Sequence, residues 1–270
     1  MIGQTDLKKV LLDIISDDEF PVFSILHGLK GSGKKLLVDW IASKLDAPLV
    51  SCGISVTDVR QVITDSHLYK SRMLYFFPDA DKMSNEAKSA LLKITEEPPN
   101  NCHIIMSIES LSSMPATIIS RAQVFRMDLY KFTELKEYAD TVHVNDVVCQ
   151  FCETPGDIDV FKEIDVEQFL DYVDLVLDNI SQVGVANSLK IGNKIALKEN
   201  AEGYDLRLFW KAFIYRCMQR AQESLPTQGS FAYAAGAMLT SKYVAELSIR
   251  GVNKNMLFLD WVLKIREEWV

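Results

Sequence analysis

One stretch constrains the fold more than any other. Pro21-Val22-Phe23-Ser24-Ile25-Leu26 is a short apolar run. A glycine-rich turn follows, His27-Gly28-Leu29-Lys30-Gly31-Ser32-Gly33-Lys34-Lys35, and then Leu36-Leu37-Val38-Asp39-Trp40-Ile41-Ala42, which reads as a helix. Strand, glycine-rich turn and helix in that order form the context of a phosphate-binding loop. Glycines at 28, 31 and 33 let successive backbone N–H groups point inward with Ser32, and the helix N-terminus adds partial positive charge. Lys34 is placed to reach outer phosphates. A tight strand-to-helix connection needs only the glycines; strand, lysine and helix together favour the phosphate site. The position after Lys34 should carry a hydroxyl for magnesium, and here it is Lys35.

Around this unit, strands alternate with helices. An amphipathic helix is expected over 1–19, with Leu7, Val10, Leu11 and Ile14 on one face and Thr5 as its N-cap. A short strand over 49–51 and a helix over 55–63 follow the loop. Met73-Leu74-Tyr75-Phe76-Phe77 is a continuous apolar run, the mark of a strand buried on both faces of a parallel sheet. A helix over 85–97 ends at Pro98-Pro99, a further buried strand covers 103–107, a short helix 115–121, and a last strand surrounds Val124-Phe125-Arg126. Residues 1–129 therefore read as an α/β domain with a parallel sheet. Beyond Tyr130 the strands are expected to disappear. Short helices are predicted over 132–140, 144–152 and after Pro155, then long ones over 166–183, 184–199, 205–224, 233–250 and 254–270. Pro226-Thr227-Gln228-Gly229 and Gly251-Val252-Asn253 are loops between them.

Composition narrows the function classes. The 270 residues carry a net charge of −8, so the chain is not a broadly basic nucleic-acid binder. No apolar run approaches the roughly 20 residues that span a bilayer, and the N-terminus lacks an apolar signal region, which points to a cytoplasmic chain without membrane contact. Five scattered cysteines (52, 102, 149, 152 and 217) suit reduced thiols. Cys149-x-x-Cys152 has no second pair to complete a structural zinc site, so these two are expected to be small buried residues and no metal is expected.

A second motif, Phe76-Phe77-Pro78-Asp79-Ala80-Asp81-Lys82-Met83, stands where phosphate-loop ATPases end an apolar strand in carboxylates. Pro78 takes the magnesium-orienting place and Asp79 the water-activating one, so Asp79 and Asp81 form a degenerate acidic motif. A third signal is Ser89-Ala90-Leu91-Leu92-Lys93-Ile94-Thr95-Glu96-Glu97-Pro98-Pro99 with Pro115-Ala116-Thr117-Ile118-Ile119-Ser120-Arg121-Ala122. With these, the chain resembles the clamp-loader branch of the AAA+ ATPases, in particular the delta-prime and gamma/tau subunits of bacterial DNA polymerase III. Ile2-Gly3-Gln4 is similar to that family's N-terminal box near adenine. The tail over 253–265, with Leu257, Leu259 and Leu263, is similar to its final collar helix.

The resemblance implies a AAA+ RecA-like parallel-sheet domain over 1–129, a small helical lid over 130–164 and a C-terminal helical collar for oligomerisation over 165–270. It implies that Arg121 is an arginine finger reaching a neighbour's ATP, and it places Ser107 at the polar sensor position. It implies as partners the other clamp-loader subunits, in a pentameric hetero-oligomer, with the sliding clamp and primer–template DNA met through the assembly. The departures bear on activity. Gly156-Asp157-Ile158-Asp159 stands where the lid's Gly-x-x-Arg is expected, so Asp159 replaces an arginine, and no four-cysteine zinc insert is present. Magnesium and positioned charge supply most of the catalysis in phosphoryl transfer, so changes at Lys35, Pro78 and Asp159 argue against useful hydrolysis.

The expectation is a stator-like subunit that requires no cofactor. ATP, ADP or phosphate held without magnesium by Lys34 and Lys35 stays open as a ligand. An active ATPase with Asp79 and Asp81 as metal ligands stays open as well, as does a nucleotide-sensing adaptor unrelated to clamps. Lys82, Lys88 and Arg60 are candidate DNA contacts, with solvated surface charge the more economical explanation for each. Phe209, Trp210, Phe213, Tyr215, Trp261 and Trp269 suggest more apolar surface than a small bundle can bury, hence subunit contacts.

Overall fold

The structure, a computed structural model, describes residues 2–68, 71–96, 102–180, 194–197, 203–224, 228–247 and 251–269. The chain divides into two compact units, Met1–Tyr138 with Thr154–Gly156, and Ala139–Glu153 with Asp157–Val270.

The first unit is built on five strands, β1 Phe23–His27, β2 Leu49–Ser51, β3 Met73–Phe77, β4 Cys102–Ile108 and β5 Gln123–Arg126. All pair in parallel, in the order β2-β3-β4-β1-β5. The continuous apolar strands expected from the sequence arise because both faces are covered. On one face Tyr75, Phe77, Ile104 and Met106 pack with Val59 and Val62 of α3 (Val56–Leu68), Leu91 and Ile94 of α4 (Asn85–Glu96) and Ile118 of α5 (Ala116–Ile119). On the other, Leu74, Phe76, Ile105 and Phe125 pack with Leu7 and Leu11 of α1 (Thr5–Ser16) and Leu37, Val38 and Ile41 of α2 (Lys34–Leu45). Alternate residues of one strand thus feed two cores. The chain leaves the sheet through α6, Phe132–Thr141.

The second unit is helical. After a 3₁₀ turn over Asp146–Gln150 come α7 Pro155–Asp159, a 3₁₀ turn over Val160–Lys162, α8 Val166–Asn179, α9 Leu206–Glu223, α10 Gln228–Glu246 and α11 Lys254–Glu268. The starts of α8, α9 and α11 are set by side-chain caps. Asp165 accepts from the Gln168 N–H, Asp205 from those of Arg207 and Leu208, and Asn253 from those of Asn255 and Met256. Phe209, Trp210 and Phe213 of α9 meet Trp261 of α11, with ring centroids 5.1–6.1 Å apart. The Trp261 indole donates to Thr240 Oγ1 of α10 at 3.0 Å.

Several expectations are corrected. Strands do not vanish after Tyr130: β6 Ile195–Ala196 and β7 Tyr204–Asp205 pair in parallel. Residues 195–196 therefore contradict a helix over 184–199, whose remainder falls mostly outside the described residues, as do Glu97-Pro98-Pro99 and Pro226-Thr227. The stretch 144–152 forms a 3₁₀ turn rather than an α-helix. Gln4, with φ 57°, is the N-cap of α1, and Thr5 is already helical. Phe209, Trp210, Phe213 and Trp261 are fully buried within the chain, so they are its own core rather than surface for a neighbour. In α11 the buried face is Phe258, Trp261, Val262 and Ile265, while Leu263 is exposed.

Candidate functional site

Three motif segments meet at the carboxyl ends of the strands: the glycine loop follows β1, Pro78-Asp79-Ala80-Asp81 follows β3, and Ser107 lies near the end of β4. Ligands of open parallel sheets sit in this region. The Gly28 N–H donates to the Ile108 carbonyl at 3.1 Å, so the loop springs from the β1–β4 ladder. Gly31 and Gly33 have φ of 77° and 86°, the left-handed conformation in which glycine avoids the Cβ penalty. Gly33 is the N-cap of α2, and Lys34 and Lys35 form its first two residues. Two cations at the positive end of a helix oppose its dipole. The structure resolves this for Lys34 by folding the side chain back into the loop. Its ammonium donates to the carbonyls of Gly28 and Leu29, both at 2.8 Å, and its side chain is 9% exposed. Burial lowers the Lys34 pKa, and the carboxylates of Glu109, Asp79 and Asp81 work in the opposite direction. Lys35 points outward and is exposed.

Three residues unforeseen at this loop close it further. The Gly156 N–H donates to the Gly31 carbonyl at 3.0 Å and Thr154 Oγ1 donates to the Lys30 carbonyl at 3.1 Å. Tyr130 Oη donates to the Ser32 carbonyl at 2.8 Å, while its ring lies against Gly3. Gln4, marked in the sequence only by family likeness, is buried and bonded to both backbone groups of Asp128, each at 2.8 Å. Nothing in the sequence pairs Gly156 with Gly31; the structure shows why both are glycine. A Cβ at Gly156 would lie 2.5 Å from Gly31 Cα, an approach that only a glycine pair permits.

The acidic motif is put to structural use. Asp81 accepts from the N–H groups of Glu109 (2.8 Å) and Ser110 (3.3 Å) and from the Ser113 hydroxyl (2.6 Å), so it pins the turn after β4. Asp79, at φ 48°, donates its N–H to Ser107 Oγ at 3.1 Å, and its exposed carboxylate accepts from Lys82. With Lys35 in place of the hydroxyl, Pro78 in place of the carboxylate and Asp81 engaged by three donors, the residues present do not fit a magnesium ion. Among the described residues no group of three or more His, Cys, Asp or Glu side chains is placed to hold a metal.

Arg121 lies apart from these groups, just after α5 and ahead of β5. Its side chain is 37% exposed. The guanidinium donates to the Thr117 carbonyl at 2.8 Å and to Glu96 Oε1 at 3.0 Å. It lines an open cavity of about 400 Å³ with Thr95, Ser120 and Gln123. Of the candidate DNA contacts, Lys82 and Arg60 are exposed, whereas Lys88 is buried and donates to the Ser113 carbonyl at 2.7 Å, which removes it from the surface.

In the second unit, Asp159 pairs with Lys162 at 2.5 Å. Its neighbour Asp157 is 1% exposed, pairs with Arg207, lies 3.6 Å from Lys211 and accepts from the Glu153 N–H. Cys149 and Cys152 are buried here and not joined in a disulfide.

Residues 52–131, which carry the acidic motif, α4 and Arg121, match the family model described as DNA polymerase III, delta subunit. The chain is similar to AAA+ clamp-loader subunits. It is 33% identical over 181 residues to the DNA polymerase III subunit gamma of Buchnera aphidicola, a match covering 52% of this chain and 50% of that protein. It is 28% identical over 74 residues to the delta' subunit of Haemophilus influenzae, covering 27% and 23%. The chain spans half or less of the length of the curated relatives it matches. A crystal structure of a DNA polymerase III gamma subunit-related protein from Thermotoga maritima superposes with a TM-score of 0.50 at 14% identity, over 96% of this chain and 98% of that one. The fold is of the AAA+ kind: a five-stranded parallel sheet covered by helices, followed by a C-terminal helical region.

Proposed function

We propose that the chain is a stator-like clamp-loader subunit of delta-prime type. It gives Arg121 to the ATP site of a neighbouring subunit and hydrolyses little or no ATP itself. The observation that carries this is a contrast within one unit. The arginine is on the surface beside an open cavity, whereas the phosphate loop is closed by its own lysine and by Thr154–Gly156. An exposed guanidinium can neutralise charge developing on a transferring phosphoryl group. A loop whose lysine is held by two carbonyls, with Lys35 in place of the hydroxyl after it and Pro78 in place of the carboxylate at the end of β3, lacks parts that make hydrolysis fast.

On this reading the partners are other clamp-loader subunits in a hetero-oligomer of five, and the sliding clamp and primer–template DNA are met through that assembly. The location is the cytoplasm. No described helix is long and apolar enough to cross a membrane. Lys34 and Lys35 keep a capacity for phosphate or nucleotide without magnesium once the loop opens. Two experiments test the proposal. Isolated chain incubated with ATP and magnesium should show no turnover, and turnover abolished by Lys34→Ala would mean an active ATPase instead. The chain should co-purify with replication proteins; failure to do so would favour a free-standing nucleotide-sensing adaptor.

A further inference from the structure

The ion pair between Arg121 and Glu96 joins residues 25 apart in sequence. Local preference does not explain it. Glu96 is the last residue of α4, where the helix dipole disfavours a carboxylate. It also lies off the buried face of that helix, formed by Ala87, Lys88, Leu91 and Ile94, so no core packing holds it. Its side chain is 54% exposed. The position instead sets a negative group against the guanidinium. The second partner of Arg121, the Thr117 carbonyl, lies in α5, so carboxylate and carbonyl dipole engage two of the five guanidinium donors, one on each terminal nitrogen. The cavity shared with Thr95, Ser120 and Gln123 leaves room for a phosphate group beside them.

Resting on the finger reading of Arg121, we propose that Glu96 is a positioning residue that latches the arginine until a neighbour's terminal phosphate displaces it. The chemistry selects its competitor. A γ-phosphate brings more negative charge and more acceptor oxygens than one carboxylate, so it can take over the donors that Glu96 holds. A bound diphosphate, ending one group earlier, leaves the latch closed. The latch is weak by construction, because exposed pairs gain little in water. Its release therefore changes the rate by a small factor and does not act as an on–off switch.

The test compares assemblies of this chain with its ATP-hydrolysing partner subunits. Glu96→Gln keeps the shape and removes the charge. It should raise the partners' kcat about two- to five-fold, the range of an exposed pair. KM for ATP should fall or stay level rather than rise, because the freed arginine meets the terminal phosphate of bound ATP as well as the charge that develops in the transition state. The gain should shrink at 1 M salt, where charges are screened beyond about 3 Å, and Glu96→Asp should return the rate to that of the natural chain. Arg121→Ala and the double variant Glu96→Gln/Arg121→Ala should give the same low rate. If Arg121→Ala has no effect, the finger reading fails and the latch with it. If Arg121→Ala silences the partners but Glu96→Gln leaves kcat unchanged or lower, with thermal unfolding unaltered, the latch alone is overturned. A Glu96→Gln gain that persists in the double variant overturns it as well.

Discussion

Gly156→Ala is expected to lift residues 154–156 off the phosphate loop. The new methyl would lie 2.5 Å from Gly31 Cα and 3.1 Å from the Gly31 carbonyl oxygen. Both are backbone atoms, so no side chain can rotate away, and the segment or the loop must shift. Overpacking of this kind costs about 1–3 kcal/mol. The shift also stretches the 3.0 Å bond from the Gly156 N–H to the Gly31 carbonyl. Local opening should therefore become about 5- to 150-fold more frequent at 1.4 kcal/mol per decade. Amide hydrogen exchange at Gly156 reads this directly. Gly251→Ala is the control: it carries a positive φ of 83° but has nothing within 4 Å of its Cβ. It should cost about 1 kcal/mol locally and leave exchange at Gly156 unchanged. Unaltered exchange in the Gly156 variant would refute the closed loop, and with it one support of the proposal that the chain hydrolyses little ATP.

Three further outcomes follow from the second unit and the thiols. Asp157→Ala removes a buried carboxylate from Arg207 and orphans the Glu153 N–H; a loss of about 3–5 kcal/mol in urea unfolding is expected. Trp261→Ala opens a cavity among Phe209, Trp210 and Phe213 and should cost about 3–5 kcal/mol in the same assay. Burial raises the thiols of Cys52 and Cys217 to about 12 and that of Cys102 to about 11, from 9.0. Native protein should thus react slowly with a thiol reagent at pH 8. Because the folded values lie above the unfolded one, the stability these thiols contribute is complete below pH 9 and is lost as pH rises toward 11–12. An unfolding midpoint that increases across that window would contradict this.

What was legible in the sequence was local and periodic. The β1–loop–α2 unit, β3 and α4 carry strong signals: a glycine cluster between two apolar patterns, five apolar residues in a row, and apolar spacing at helical intervals. What stayed hidden depends on distant segments meeting. Nothing in Lys34 announces that its ammonium will settle on the carbonyls of Gly28 and Leu29, because that follows from how the loop folds back around the buried side chain. The partnership of Glu96 with Arg121 needs α4 and α5 side by side, and the seat of Thr154–Gly156 on Lys30 and Gly31 spans over 120 residues. The aromatic residues of α9 and α11 look like surplus apolar surface in sequence. Only the placement of Trp261 against three rings of α9 shows that the bundle can absorb them. The β6–β7 pair is two residues long on each side, too short for any periodicity to register.

On the proposed function, the working residue is an arginine lent to a neighbour rather than a catalytic site of the chain's own. Steady-state ATP hydrolysis by assemblies of partner subunits with either the natural chain or Arg121→Ala tests it most directly. A loss on the order of 10³-fold or more is expected at the adjoining site, with assembly intact and the isolated chain inactive in both forms. Equal hydrolysis by the two assemblies would contradict it.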